Sequence, residues 1–467
     1  MSQKNRKSLE KETVRIGLIA VSLASLVALF VLVVSIPSTG LSQQVQDAPE
    51  VRTIDEKTRA EIVDSVTTTL NNIYVFPDVA KEMEKYVLKQ MKQGKYDTLT
   101  NAATFAEVLT EDLREICHDL HLRVGYAPDE FFEREESDTL TDDARKEMQR
   151  QRAYENYGFH KVERLSGNIG YLDLRQFADA RWGGETAVAA MNFLANSGAL
   201  IIDLRQNGGG SPSMIQLISS YFFDEPVHLN SFYIRAEDTI QQFWTAAYVE
   251  GKRMTDTDLY VLTSSRTFSA AEEFTYNMKN MERATIIGET TGGGAHPVDR
   301  YGFKNLNIAM SVPFGRAINP ITGTNWEGAG ITPHIEVPQA QALTVARKEA
   351  MTKMLEESPD NEYSEMLKWN LATLDAELNP ITVDEAILKK FVGVYGPRTI
   401  TFEHGELYYQ REERQKYRMI PMSEDTFMFE EIDYFRLQVI LDENGNPTEL
   451  HGLYDNGHID VSARTGN

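Results

Sequence analysis

The sequence predicts an α/β core preceded by a small helical domain and followed by a small β-domain. Three patterns carry this. Between residues 159 and 338, short apolar runs (NIGYLDL, ALIIDLR, LYVLT, ATIIG) alternate with helical stretches around Glu185–Ala195, around Ser213–Phe222 and after Phe268. Strands alternating with helices in this way form a sheet buried on both faces. Residues 54–127 instead space their apolar side chains by three and four, over Thr58–Asn72, Val79–Gln93 and Thr104–Cys117, which predicts helices; Gly94 suits the end of the second. From Val383 to 467 alternating strands return, separated by Gly, Asn-Gly and Asp-Asn-Gly turns (GELYYQR, FRLQVILDENGNPTELHGLY).

The remaining segments connect these three. Residues 16–36 (IGLIAVSLASLVALFVLVVSI) carry no charge and as a helix cover about 30 Å, enough to cross a bilayer. Five basic side chains precede them within residues 1–15, so the positive-inside rule keeps that segment cytoplasmic and sends the rest of the chain across. The expectation is a single N-terminal transmembrane anchor and an extracytoplasmic body, periplasmic or at the cell surface. Ser38 and Gly40 leave open a signal segment cleaved before Leu41 and a secreted product. Residues 128–158 are a densely charged linker and residues 339–380 a helical connection.

A length of 467 residues accommodates these parts, and a formal net charge of -23 disfavours nucleic acid as a partner. Residues 1–40 contribute +3, so the exported remainder carries -26, a surface that avoids anionic lipid. Cys117 is the single cysteine, which excludes an intramolecular disulfide and any multi-cysteine metal site.

Four stretches could carry chemistry. In LYVLTSSRTFSAAEEF a buried strand ends at Thr263 and Ser269 stands where a helix begins, exposed at a strand's carboxyl end with a helix N-terminus beside it. Ser269-Ala-Ala-Glu272 also fits a capping box, so the residues alone leave nucleophile and cap both open. In LIIDLRQNGGGSP, Gly208, Gly209 and Gly210 let backbone N–H groups approach an anion, as an oxyanion hole or a phosphate cradle; no Gly-Lys-Ser/Thr follows, which disfavours the cradle. Of the histidines that could act as a base, His118, His121 and His296 are the ones to compare. Finally, Glu327 sits in the glycine-rich turn WEGAGITP, where it orients a base or merely caps a loop.

Taken in order, DLRQNGGG, TFSAAEEF, GETTGGGAHP and WEGAGITP resemble the C-terminal-processing (tail-specific) serine peptidase family, in the branch of the tricorn protease core and the interphotoreceptor retinoid-binding protein repeats. The resemblance spans roughly residues 54–337 and implies a ClpP/crotonase-like core. It implies Ser269 as nucleophile, His121 as general base and Glu327 as orienting acid, with Ala270 and Gly209 supplying the oxyanion hole. The lysine base of the processing branch is absent, because Gly294 occupies its place in GETTGGGA. His296, in the same loop, is the alternative base. The tricorn pattern also has a serine just before the histidine, where this chain has Leu120. No PDZ domain fits within the charged linker, and the C-terminal domain looks lipocalin-like.

The expected function is therefore an extracytoplasmic serine peptidase, acting on peptides or unfolded protein segments through an acyl-enzyme, with no metal and no cofactor. Its rivals are a non-catalytic binding module for an apolar ligand or peptide on the same fold, and an esterase using the same site.

Overall fold

The computed structural model describes residues 14–15, 52–128, 131–132, 142–360 and 363–466. The expected transmembrane segment 16–36 and the cleavage site before Leu41 lie outside these. Among the described residues no helix is long and apolar enough to cross a membrane. The described residues divide into two compact units, one drawn from residues 1–163, 171–196 and 200–339, the other from residues 164–170, 197–199 and 340–467.

The first unit opens with three helices, α1 (Glu56–Ile73), α2 (Pro77–Lys92) and α3 (Ala102–Cys117), whose ends fall within two residues of those the apolar spacing predicts. Their starts are explained locally. Asp55 and Asn101 accept the N–H of Thr58 and Thr104, and Pro77 occupies the first position of α2, where its missing N–H is no loss. Strand β1 (Arg123–Tyr126) and helix α4 (Asp142–Tyr154) follow.

The α/β part runs β2 (Phe159–Leu165), β3 (Ile169–Leu174), α5 (Ala180–Leu194), β4 (Ala199–Asp203), α6 (Pro212–Ser219), β5 (His228–Ile234), β6 (Thr239–Trp244), β7 (Asp258–Thr263), α7 (Ala270–Asn280), β8 (Ala284–Gly288), β9 (Val298–Phe303), β10 (Ile308–Pro313), β11 (Gly315–Ile318) and β12 (Ile335–Glu336). Six strands form the central sheet in the order β12-β8-β7-β4-β3-β2, with β12, β8 and β7 mutually parallel. Every residue of β3 and β4 is buried, as unbroken apolar runs require. Helices α5, α6 and α7 join the sheet in one core built on Leu172, Ile202, Val261, Ile286, Met191 and Phe274.

Two smaller sheets were not apparent in the sequence. One orders β11-β6 through β5; the other orders the two-residue strand Val14–Arg15, then β9, β10 and β1. The second matters for the site. Tyr301, Ile308, Met310 and Val312 from the β9–β10 hairpin share one core with Val66, Leu70, Phe105 and Leu109 of the helices, so the N-terminal helices pack on the α/β part rather than forming a separate body. Strand β1 pairs antiparallel with β10 directly after the turn that ends α3, which holds that turn in place.

In the second unit, helices α8 (Ala342–Glu357) and α9 (Ser364–Leu378) precede a short helix α10 (Glu385–Phe391), where the sequence led us to expect strands from Val383 onward. The apolar positions of α10, Leu388 and Phe391, are buried in the β-domain core, which is why a helix closes this end. Nine antiparallel strands follow between Gly393 and Gly466. The two strands at the ends of that sheet, Lys416–Arg418 and Ile420–Pro421, are separated in sequence by Met419 alone, so the sheet curls until its edges meet.

Candidate active site

The site lies entirely within the first unit. Ser269 is the N-cap of α7 and holds φ 56°, ψ -120°, a conformation that non-glycine residues avoid. A sharp turn of this kind lifts a side chain off the end of β7. The Ser269 side chain meets the Glu272 backbone at the third helical position, one half of a capping box. The other half of the capping box is firm: Glu272 accepts the Ser269 N–H at 2.9 Å. Ser269 is half-buried.

Glu272 does more than cap. Buried beneath the loop after β8, it also accepts the N–H groups of Gly293 (2.7 Å) and Gly294 (2.8 Å) and the hydroxyl of Thr291. Burial pushes its carboxyl above the usual range, and these four donors oppose that rise.

The DLRQNGGG loop meets Ser269 from the other side. Gly209 has φ +111°, and a Cβ there would lie 2.8 Å from Ser269 Cβ and 3.0 Å from Ala270 N, so this close approach requires glycine. Asn207, fully buried, sets the loop: its amide donates to Leu174 O, its carbonyl accepts the Phe268 N–H, and its Oδ1 accepts the Gly209 N–H at 2.8 Å. The Gly209 N–H must leave Asn207 or be shared to face an oxyanion. Ala270, at the first helical position, has an N–H with no intrahelical acceptor.

The turn after α3 delivers His121. His118 takes a left-handed conformation (φ 54°) to end the helix, and the Arg114 guanidinium ties the turn by donating to Leu120 O and Leu122 O. Asp119 then accepts the His121 N–H at 2.9 Å. The His121 ring lies against Phe268, the residue before Ser269, with centroids 4.6 Å apart and the planes tilted by 35°. Its side chain is 2% exposed, and neither ring nitrogen has a hydrogen-bond partner. Burial pulls its pKa down to about 4, with the Asp119 charge opposing. Gly294, in the place of the processing-branch lysine, leaves room for this ring: a Cβ there would come within 2.6 Å of His121 Cε1.

His296 and Glu327 meet beside it. His296 Nδ1 donates to Asp119 Oδ2 at 2.6 Å and lies 3.5 Å from Glu327 Oε2, which itself accepts the Ala295 N–H at 2.6 Å. Glu327 Oε1 is buried and unpartnered. Burial, reinforced by the Asp119 charge, pushes the Glu327 carboxyl up to about 7. The WEGAG turn holds its place through Trp326 Nε1, which donates to Gly294 O, and Gly328 N–H, which donates to Gly293 O.

The structure thus gathers Ser269, Ala270, Gly209, His121, His296 and Glu327 around Phe268, Gly294 and Asp119. Among the described residues no hydrogen bond links His121 to Ser269, and Glu327 meets His296 rather than His121. Sequence reasoning gave no role to Asp119, Asn207 or the loop contacts of Glu272. The signals were present in the Asp-x-His spacing, the asparagine before the glycines and the capping box. Asp119, His296 and Glu327 are also the group that could hold a metal ion, each offering an atom within 4.8 Å of the others. A cation there would have to open the His296–Asp119 hydrogen bond.

Residues 168–337 match the model of peptidase family S41, and residues 42–157 match that of the N-terminal domain of S41 peptidase in eukaryotic IRBP. Among solved structures, the chain is similar to a putative peptidase from Parabacteroides merdae, at 18% identity over 61% of this chain and 90% of that one, with a TM-score of 0.44. It is also similar to a lipoprotein from Streptococcus agalactiae (14% identity, 67% and 100% covered, TM-score 0.43). A third is the photosystem II D1 C-terminal processing protease (20% identity, 37% and 42% covered, TM-score 0.30), of whose length this chain spans less than half. At these TM-scores the likenesses carry no argument about the site.

Proposed function

Because the chain carries the peptidase family S41 domain behind that family's N-terminal domain, it belongs to that family of serine-type peptidases, and from that premise we propose that it hydrolyses peptide bonds through an acyl-enzyme on Ser269. The observation that carries the reading is His121. A buried imidazole with both nitrogens unpartnered leaves at least one donor unsatisfied, at about 1–3 kcal/mol. Such a cost persists where a ring is kept free for a reacting partner.

In this reading a ring nitrogen of His121 takes the proton of Ser269 Oγ as the oxygen attacks the substrate carbonyl. The tetrahedral oxyanion accepts from Ala270 N–H and, once it leaves Asn207, from Gly209 N–H. The imidazolium then gives its proton to the leaving amine, and water, deprotonated by His121, hydrolyses the ester. Burial holds His121 neutral at pH 7, the form a base needs. Catalytic hydrogen bonds of free enzymes are often long and tighten on substrate binding, so a small closing movement completes the Ser269–His121 contact.

The substrate class is peptides or unfolded protein segments. The site stands outside the cytoplasm, on a chain anchored through residues 16–36, a reading supported by the basic residues before that apolar run. Accessibility of the body to protease in intact cells tests this second part.

Labelling with a serine-directed phosphonate tests the first, on wild type, Ser269→Ala and His121→Ala. Labelling is expected to vanish in Ser269→Ala and to slow by roughly 10²–10⁴-fold in His121→Ala. Equal labelling of all three removes the mechanism, and an unlabelled wild type points to the binding-module reading.

A further inference from the structure

We propose that Asp119 is the positioning residue for His121, and that Glu327 acts on the base only through a His296–Asp119 bridge. The inference rests on the reading of Ser269 and His121 given above and supplies the coupling that reading lacks. The tricorn-like pattern has a serine immediately before the base, but this chain has Leu120, which is half-exposed and offers no hydroxyl.

Asp119 fills that gap by geometry. Oδ1 accepts the His121 main-chain N–H at 2.9 Å and lies 3.9 Å from His121 Nδ1. A ring movement of about 1 Å brings Nδ1 into hydrogen-bond range. That bond would fix the proton on Nδ1 and leave Nε2 with the lone pair that deprotonates Ser269. The other oxygen, Oδ2, is held by His296 Nδ1 at 2.6 Å, so the carboxylate is gripped at both ends and, at 1% exposure, has no water to turn towards.

Glu327 enters only behind His296. Its Oε2 is 3.5 Å from His296 Nδ1, and among the described residues no hydrogen bond or ion pair joins it to His121. The other charged group acting on the His121 ring is Arg114, from α3, and Glu272, from α7, acts on Glu327. Chain order and topology explain why the bridge exists: the turn after α3 and the glycine loop after β8 are 177 residues apart, and the shared core of the helices and the β9–β10 hairpin presses them together.

The test uses the full chain with Asp119→Asn, His296→Gln, Glu327→Gln and the His296→Gln/Glu327→Gln pair. The first readout is the rate of phosphonate labelling of Ser269 across pH. Asp119→Asn is expected to lose at least 10²-fold, towards the roughly 10⁴-fold seen when the acid of a serine triad becomes an amide. Glu327→Gln and His296→Gln each lose less, and the pair loses no more than His296→Gln alone, the non-additivity of residues acting in series. Multiplying losses in the pair would give Glu327 a route of its own and overturn the bridge, and wild-type labelling in Asp119→Asn would overturn the role of Asp119.

A second readout does not depend on activity. In chain labelled at its histidines, the far-downfield Nδ1 proton of His296 is expected to persist in Glu327→Gln and disappear in Asp119→Asn, while the protonation midpoint of the His121 ring moves down in Asp119→Asn. Unchanged signals from both rings in a folded Asp119→Asn protein overturn the proposal. Wild type that shows these signals yet takes no label keeps the bridge and rejects the peptidase reading, which separates the two failures.

Discussion

Glu272 Oε2 accepts the N–H of Ser269 at 2.9 Å and the N–H of Gly294 at 2.8 Å. One buried oxygen therefore ties the strained turn of Ser269 to the loop beneath His121. The helix cap and the architecture of the site are the same interaction. A glutamate with four donors and no cation beside it is held by hydrogen bonds alone.

Replacing Glu272 by Gln puts an NH₂ group where an oxygen faces two backbone donors. The expected cost is about 2–4 kcal/mol, from donors left unsatisfied in a buried site, read as a lower urea midpoint. Phosphonate labelling is expected to fall as well, since both Ser269 and the glycine loop lose their tie.

The φ of 56° at Ser269 predicts an order of stabilities. Ser269→Ala keeps the Cβ and its strain, whereas Ser269→Gly relieves strain of about 1–3 kcal/mol and loses about 0.5–1 kcal/mol to the greater freedom of its unfolded chain. The glycine variant should be the more stable of the two inactive proteins by roughly 1 kcal/mol in chemical denaturation.

Gly209→Ala brings a methyl group within 2.8 Å of Ser269 Cβ, at a φ that an L-residue resists. The loop has to move away from Ser269 and Ala270, which displaces one oxyanion donor from the other. Removing one such donor costs about 10²–10³ in kcat, and a loss of that order with little change in KM is expected from peptide hydrolysis.

His121 and Glu327 pull pH stability in opposite directions. His121 falls from 6.5 to about 4 in the fold, so the unfolded chain binds the extra proton, and this residue destabilises the protein as pH drops through that window. The full effect is on the order of 3 kcal/mol. Glu327 rises from 4.5 to about 7, so the fold keeps a proton that the unfolded chain loses, and its contribution declines as pH rises through that window. Compared with wild type, His121→Gln should gain stability as pH falls from 6.5 to 4, and Glu327→Gln should gain as it rises from 4.5 to 7. Thermal unfolding across pH 4–7 measures both.

Periodicity made α1, α2 and α3 legible, because an amphipathic helix records its buried face in its own spacing. The strands β3, β4, β7 and β8 were legible as apolar runs, which a strand buried on both faces shows without any spacing. The β9–β10 hairpin was not, since Tyr301 and Met310 are buried in one core with helices more than 180 positions earlier. Ser269, His121 and Glu327 stood out in glycine-rich or helix-end motifs. Asp119 did not, because an aspartate after a helix reads as a turn residue until its partner at His296 is known. His296 is the alternative base, and its Nδ1 donates to Asp119. Glu272 was read as half of a cap because three of its four donors, Thr291, Gly293 and Gly294, come from another loop.

A Cβ on Gly294 would sit 2.2 Å from Phe268 Cζ and 2.6 Å from His121 Cε1. A lysine at 294 and a histidine at 121 therefore claim the same volume. A side chain at 294 meets Phe268 before it meets His121, so the position is closed to a lysine for as long as both rings keep these places. Gly294→Lys should therefore displace both rings, and emptying position 121 alone does not open position 294, because Phe268 Cε2 would still lie 2.4 Å from a Cβ there.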